Sequence, residues 1–119
     1  MGNRTSTLSR RYRVVDDVEV KVTNMVGSGQ PGGWAMSLDG EFLDQGDDRK
    51  TVVVGKGADL LYRELRVEFV LHDRRWEHNR LTATSVLTGG ENEEPLTISH
   101  EQAGEPGDSA TYTTLVQFV

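Results

Sequence analysis

The chain contains no cysteine among its 119 residues. Disulfide bonds, thiolate nucleophiles and cysteine-ligated zinc sites are therefore excluded together. No apolar run approaches the ~18 residues that a membrane-spanning helix needs, and no secretory hydrophobic region follows the first residues. These absences argue against a membrane partner, and they leave the cytoplasm as the default expectation for its location.

Sequence motifs of common enzymes are also absent. There is no Gly-x-Ser-x-Gly elbow, no His-Glu-x-x-His zinc motif and no phosphate loop. The glycine-rich segment 27–33 leads into an alternating strand pattern, not into a helix start, so it is expected to be a connecting loop. The sequence therefore favours a non-catalytic protein. The alternative is a small hydrolase that acts on carbohydrate through two carboxylates.

Positive charge is scarce beyond the first thirteen residues. The net charge is −6, and these thirteen residues hold four arginines and no acid. The remainder has nine Lys and Arg against nineteen Asp and Glu, a net charge of −10. An acidic body repels nucleic acid, which argues against a nucleic-acid partner. The polar residues 1–9 are predicted to form a flexible arm, and residues 10–119 a single domain.

Alternation of apolar and polar residues is the strongest structural signal. We interpret residues 60–90 as a central hairpin, formed by a long strand, a charged turn and a second long strand. The residues of one parity in the first arm are Leu61, Leu65, Val67, Phe69 and Leu71, and those of the second arm are Leu81, Ala83, Ser85 and Leu87. Side chains alternate between the faces of a strand, so these residues are predicted to face a core. A single helical turn near residues 59–62 is also compatible with the pattern.

Shorter alternating segments surround this hairpin. Strands are predicted over residues 12–25, 34–38, 41–43, 51–54, 96–100 and 111–119, with Trp34, Met36 and Leu38 pointing inward. Asp39-Gly40 is typical of a tight hairpin turn. Strands at this spacing predict an all-β antiparallel β-sandwich of about seven or eight strands, immunoglobulin-like or jelly-roll-like, with a small barrel as the alternative.

Two groups of side chains are candidate metal ligands. Asp44, Asp47 and Asp48 belong to the densest acidic cluster of the chain, and carboxylate oxygens on a loop suit Ca²⁺. Solvated turn residues are the alternative interpretation. His72 and His78 are predicted to lie across from each other where the arms of the hairpin begin to pair, which suits Zn²⁺ or another transition metal. The alternative there is a charged hairpin tip without a metal.

The turn of the hairpin also contains a candidate binding site. Trp76 lies beside Arg74 and Arg75, and tryptophan and arginine dominate binding hot spots. Burial of Trp76 would instead make it a core residue. The leading hypothesis is therefore a non-catalytic interaction module that binds a protein or glycan partner. The first alternative is a binding domain that depends on Ca²⁺ or a transition metal, and the second is the carbohydrate hydrolase. The uncharged segment 51–54 is predicted to be a short strand that is either buried or at a sheet edge, and as an edge strand it would be a place where a homodimer forms.

Overall fold

A computed structural model describes residues 3–27, 32–72, 80–103 and 108–119 of the chain. These residues form nine β-strands and one helix of four residues. The elements are β1 (Asn3–Tyr12), β2 (Glu19–Val26), β3 (Gly32–Leu38), β4 (Glu41–Gly46), β5 (Lys50–Lys56), α1 (Gly57–Leu60), β6 (Glu64–His72), β7 (Arg80–Thr88), β8 (Leu96–Ala103) and β9 (Ser109–Phe118). No helix in these ranges is long and apolar enough to cross a membrane.

The strands form two sheets that pack against each other. The first sheet has the order β1-β9-β6-β3-β4, and the second has the order β5-β2-β7-β8. Among the described strands every neighbouring pair is antiparallel except β1 and β9, which run parallel. Two sheets that share one core confirm the predicted β-sandwich. The barrel alternative is wrong, because the two sheets do not close on each other.

The core consists of the inward-facing residues of both sheets. Each side chain of one parity in β6, from Leu65 to Leu71, is fully buried. Trp34, Met36 and Leu38 of β3 are also buried, as predicted. Fully burying one large apolar side chain contributes roughly 1.5–3 kcal/mol, so this alternation supplies the main driving force for the fold.

The predicted central hairpin is wrong. β6 pairs with β3 and β9 in the first sheet, whereas β7 pairs with β2 and β8 in the second. Two strands that each bury one face satisfy the same alternation whether they pair in one sheet or face each other across a core. Leu61 is also not a core residue, because it follows α1 and is 38% exposed before β6 begins.

The N-terminal part also differs from the expectation. The segment predicted as a flexible arm lies in β1 from Asn3 onward, where its backbone pairs with β9. Its side chains are mostly exposed on both faces, so hydrophobic patterning gives no signal for this strand. The single strand predicted over residues 12–25 is two strands, because residues 13–18 carry the chain from β1 in the first sheet to β2 in the second.

The shorter elements agree with the predictions. Asp39 and Gly40 have φ angles of 49° and 85°, which join β3 to β4 in the left-handed conformation that a tight hairpin requires. The predicted strand 51–54 lies within β5, at an edge of the second sheet. β9 lies between β1 and β6, as expected for a strand with apolar residues on both faces.

Candidate functional site

An open groove of about 450 Å³ lies on the outer face of the first sheet. Its floor is β3, whose outward side chains Ala35 and Ser37 are small. Its walls are β4 and β6, because the strand register places Phe42 and Arg66 on either side of Ser37. Neighbouring strands are ~4.8 Å apart, so the walls are separated by about 9.6 Å. This width admits one ring or one extended chain.

Phe42 provides an apolar surface on one wall. It is paired with Ser37, so it shares the outer face and is 65% exposed. A large aromatic side chain held on a strand is a rigid surface for an apolar contact. In the next row Gln45 and Glu68 flank Ala35 in the same way, so a polar pair follows the aromatic one along the groove.

Fixed charges line the other wall and one end of the groove. Arg66 Nη2 lies 2.6 Å from Glu68 Oε1 on β6. Asp39 Oδ2 accepts a hydrogen bond from Arg63 Nε at 2.8 Å, and Asp39 Oδ1 accepts one from the backbone N–H of Glu64 at 2.9 Å. The bond from Arg63, followed by the backbone bond, holds the pKa of Asp39 below its usual value. Asp39 therefore stays ionised and oriented at neutral pH.

A second opening of about 470 Å³ continues along β3. Gly33, Gly46 and Asp47 line it together with the edge of Trp34. The indole Nε1 of Trp34 donates to the backbone oxygen of Asp48 at 3.0 Å, which fixes the ring. A Cβ at Gly46 would lie 2.7 Å from that ring, so glycine is required there for the close approach of β4.

A separate polar cluster lies inside the sandwich around His100 of β8. The His100 ring is 2% exposed and stacks on Tyr112. Its Nε2 lies 2.8 Å from Thr114 Oγ1, and its Nδ1 lies 3.0 Å from Ser6 Oγ. Burial, assisted by the positive charge of Arg10, lowers the pKa of His100 from 6.5. The imidazole is therefore neutral at pH 7.

We interpret the cluster around His100 as structural. A hydrogen bond between serine and histidine also occurs in hydrolytic sites, where a carboxylate usually orients the imidazole. In this chain the hydroxyl of Thr114 takes that position, and the ring is enclosed between β1, β8 and β9. The bonds from His100 to Ser6 and Thr114 therefore join β8 of the second sheet to β1 and β9 of the first.

The candidate metal ligands lie in different surroundings. Asp44 Oδ2 lies 2.8 Å from Lys50 Nζ, and this contact, with a backbone N–H bond, lowers the pKa of Asp44. Asp47 and Asp48 are exposed after β4, and His72 is exposed at the end of β6. Within the described ranges no group of three or more His, Cys, Asp or Glu side chains is arranged to hold a metal ion.

The remaining candidates lie outside the described residues. These are the hot spot of Arg74, Arg75 and Trp76, and the second histidine of the proposed pair, His78. Both interpretations therefore stay predictions. β6 and β7 belong to different sheets, so the pairing of arms from which the His72 and His78 site was inferred does not occur.

The sequence analysis did not identify Phe42 or Arg66 as site residues. A weak signal existed, because Phe42 and Leu43 are adjacent and a strand directs only one of two neighbours inward. The groove itself depends on which strands flank β3, and this order comes from long-range pairing.

Comparison of the chain with protein-family models, with curated proteins and with solved structures gave no match. A β-sandwich supports many unrelated functions, so the function of this chain depends on the chemistry of its groove and not on the fold.

Proposed function

We propose that the chain is a non-catalytic β-sandwich module that binds a glycan in the groove above β3. One observation carries the proposal: the exposed ring of Phe42 faces the Arg66 and Glu68 pair across the small side chain of Ser37. Sugar rings have C–H faces that stack on an aromatic ring and hydroxyl groups that bond to charged side chains. A sugar residue in the groove would use both walls at once.

The charges along the groove favour a neutral glycan. Its lining includes the carboxylates of Asp39, Glu64 and Glu68 against the single guanidinium of Arg66. Excess negative charge repels sulfated and other acidic sugars. Carboxylates also accept hydrogen bonds from hydroxyl groups, which is the contact that a neutral sugar offers.

The proposal is tested by binding the labelled chain to an array of neutral and acidic oligosaccharides. The strongest oligosaccharide is then titrated by calorimetry into the wild type and into Phe42→Ala. Loss of the stacking surface is expected to weaken binding about tenfold, or ~1.4 kcal/mol. Val53→Ala is the matched control, because Val53 is 52% exposed on β5 of the second sheet and should not affect binding.

Two results would contradict the glycan assignment. One is the absence of any retained oligosaccharide, and the other is binding that Phe42→Ala and Val53→Ala reduce equally. A peptide library is screened in parallel. Peptides whose binding requires Phe42 would assign the groove to a protein partner instead.

A role for Ca²⁺ is the second candidate. Asp47 lines the second opening next to the groove and is exposed, and Asp48 follows it in the chain. A calcium ion held there with Asp44 would place a positive charge beside the proposed sugar site. Zn²⁺ bound by His72, which ends β6, and by His78 is the corresponding proposal for the two histidines. Thermal melts with EDTA, Ca²⁺ and Zn²⁺ test both metal sites.

A further inference from the structure

Among the described strands, those at the edges of both sheets have no partner on their outer side, so each flank of the sandwich ends in unpaired edges. On one flank β1 lies over β8, where Ser6 contacts His100. On the other flank β4 lies over β5, where Asp44 contacts Lys50. Each flank therefore presents the free edges of two strands, one from each sheet. Free edges are surfaces on which another strand can pair.

The charges of the four edge strands are opposite on the two flanks. β1 has three arginines and no acid, whereas β4 has two acids and no Lys or Arg. β5 has two lysines and no acid, whereas β8 has one glutamate and no Lys or Arg. The edge of the first sheet is thus basic on one flank and acidic on the other. In the second sheet β5 is basic, whereas the glutamate of β8, Glu101, is already paired with Arg80 of β7 at 2.9 Å.

The strand directions are complementary as well. Within each sheet the ladders make the two edge strands run in opposite directions, β1 against β4 and β5 against β8. The contacts of Thr5 with Gln102 and of Ser6 with His100 show that β8 runs opposite to β1, so β1 and β5 share one direction and β4 and β8 share the other. A second copy placed beside the first in the same orientation brings its β1 antiparallel to β4 and its β8 antiparallel to β5. Both sheets then continue from one copy to the next.

Individual charges also match in this arrangement. At the end of the sandwich where β1 ends, Arg10 and Arg11 of one copy lie beside Glu41 of the next. None of these three side chains forms a salt bridge with another described residue of its own chain. In the second sheet Lys56 ends β5 beside the start of β8, which the acidic segment 91–95 precedes.

Bulges in β4 and β5 limit how much backbone pairing can contribute to the contact between two copies. Leu43 in β4 and Val54 in β5 have no partner in the ladders that join these strands to β3 and β2. A bulge bends an edge strand and interrupts further pairing. Opposite charges must therefore supply much of the attraction, and attraction between exposed charges weakens as salt is added.

We propose that the chain assembles head to tail with copies of itself, with β1 and β8 of one copy against β4 and β5 of the next. Such a contact uses different surfaces on the two copies. A dimer therefore keeps two free flanks, the β1 and β8 flank of one copy and the β4 and β5 flank of the other. The assembly therefore extends beyond a dimer, as an open chain or a closed ring. β4 is also a wall of the proposed glycan groove, but the contact uses the free backbone edge of β4, whereas the groove lies on the outer face of the sheet above β3.

The test is sedimentation velocity of the full chain over a range of concentrations, at low salt and at about 0.5 M salt. Species larger than a dimer are expected at low salt, with dissociation at high salt. Arg11→Glu and Glu41→Arg are each expected to lower the association constant about tenfold. An equimolar mixture of the two variants should assemble again, because every contact between unlike copies then joins opposite charges.

Matched controls separate the edge contact from net charge. Lys21→Glu changes the charge as Arg11→Glu does, and Glu19→Arg changes it as Glu41→Arg does. Both control residues are exposed on β2, which lies inside the second sheet. The two control variants should assemble like the wild type. Circular dichroism checks that all four variants retain β structure.

The proposal is overturned by a wild-type chain that stays monomeric at low salt and high concentration. It is equally overturned by a closed dimer, by controls that lose assembly as strongly as the edge variants, or by a mixture that fails to assemble. A dimer sensitive to Arg11→Glu but not to Glu41→Arg would indicate pairing of two β1 edges instead.

Discussion

His100 lies flat against Tyr112, with the ring centroids 4.9 Å apart and the ring planes 7° from parallel. His100 lies on β8 of the second sheet and Tyr112 on β9 of the first, so the stack joins the two sheets. The hydroxyl of Tyr112 also donates to the backbone oxygen of Leu81 at 2.9 Å, which adds a second connection between the sheets. The same residues that bury the imidazole therefore hold the sandwich together.

Acidification is expected to destabilise the chain through His100. Burial lowers the pKa of this residue in the folded state below 6.5, so the unfolded chain binds a proton at a higher pH than the folded chain does. The free energy of unfolding should then fall as the pH drops below about 6.5, and this contribution should level off below the pKa of the folded state. Urea unfolding between about pH 8 and pH 5 measures the slope.

His100→Gln provides the control for this slope. Glutamine keeps a hydrogen-bonding side chain but does not titrate, so the variant should be less stable at pH 8 and less dependent on pH below 6.5. An unchanged slope in the variant would assign the pH dependence to other groups. Asp39 and Asp44 have lowered pKa values, so their contribution is lost only at a more acidic pH.

Ser85→Ala is expected to destabilise the core. Ser85 Oγ donates to Asn24 Oδ1 at 2.6 Å, and both residues are completely buried. Removing the hydroxyl leaves the amide oxygen of Asn24 without this bond in a region that water does not reach, which costs about 1–3 kcal/mol. The midpoint of urea unfolding should fall accordingly. Ser99→Ala is the control, since its bond to Thr84 is exposed and should be worth less than about 0.5 kcal/mol.

Gly89→Ala is expected to be more damaging than Gly40→Ala. Gly89 has a φ of +90°, and a Cβ there would overlap the backbone oxygen of Glu19. Strain and overlap together should cost about 2–5 kcal/mol. Gly40 has a similar φ of +85° but open space around it, so alanine there should cost only about 1–2 kcal/mol. Equal unfolding free energies for the two variants would show that the close approach of Gly89 to the backbone of Glu19 does not require glycine.

Thermal melts with EDTA, Ca²⁺ and Zn²⁺ test the metal proposals. A ligand at 100 times its dissociation constant adds ~2.7 kcal/mol to the free energy of unfolding, which is a measurable rise in Tm. A rise with Ca²⁺ that Asp47→Asn removes would support the acidic loop, and a rise with Zn²⁺ that His78→Ala removes would support the histidines. Melts that no ion shifts would contradict both sites.

Alternation predicted the class of the fold because it records which side of each strand is buried. Phe69 and Tyr112 could be assigned to the core in this way, and both are fully buried. Alternation does not record which strand is the neighbour. For this reason the sequence predicts β6 and β7 to pair as one hairpin, although they lie in different sheets.

Neither the groove nor β1 was predicted from the sequence, and the reasons are related. Phe42 and Arg66 are 24 positions apart in the sequence and line the same groove only because β3 lies between their strands. β1 is held by backbone pairing with β9 and by the contact of Arg4 with Asp108 at 3.1 Å, while most of its side chains stay exposed. A strand without a buried face has no periodic signal, so only its partner identifies it.

The parallel ladder between β1 and β9 has a consequence for folding kinetics. Ser109 and Asn3 meet although they are 106 positions apart, so almost the entire chain must be looped before the first contact of this ladder forms. Loops of that length close at a high entropic cost and late in folding. We therefore expect collapse of the central strands to precede attachment of β1, so a strand that precedes all the others described in the sequence would be one of the last to reach its native neighbour.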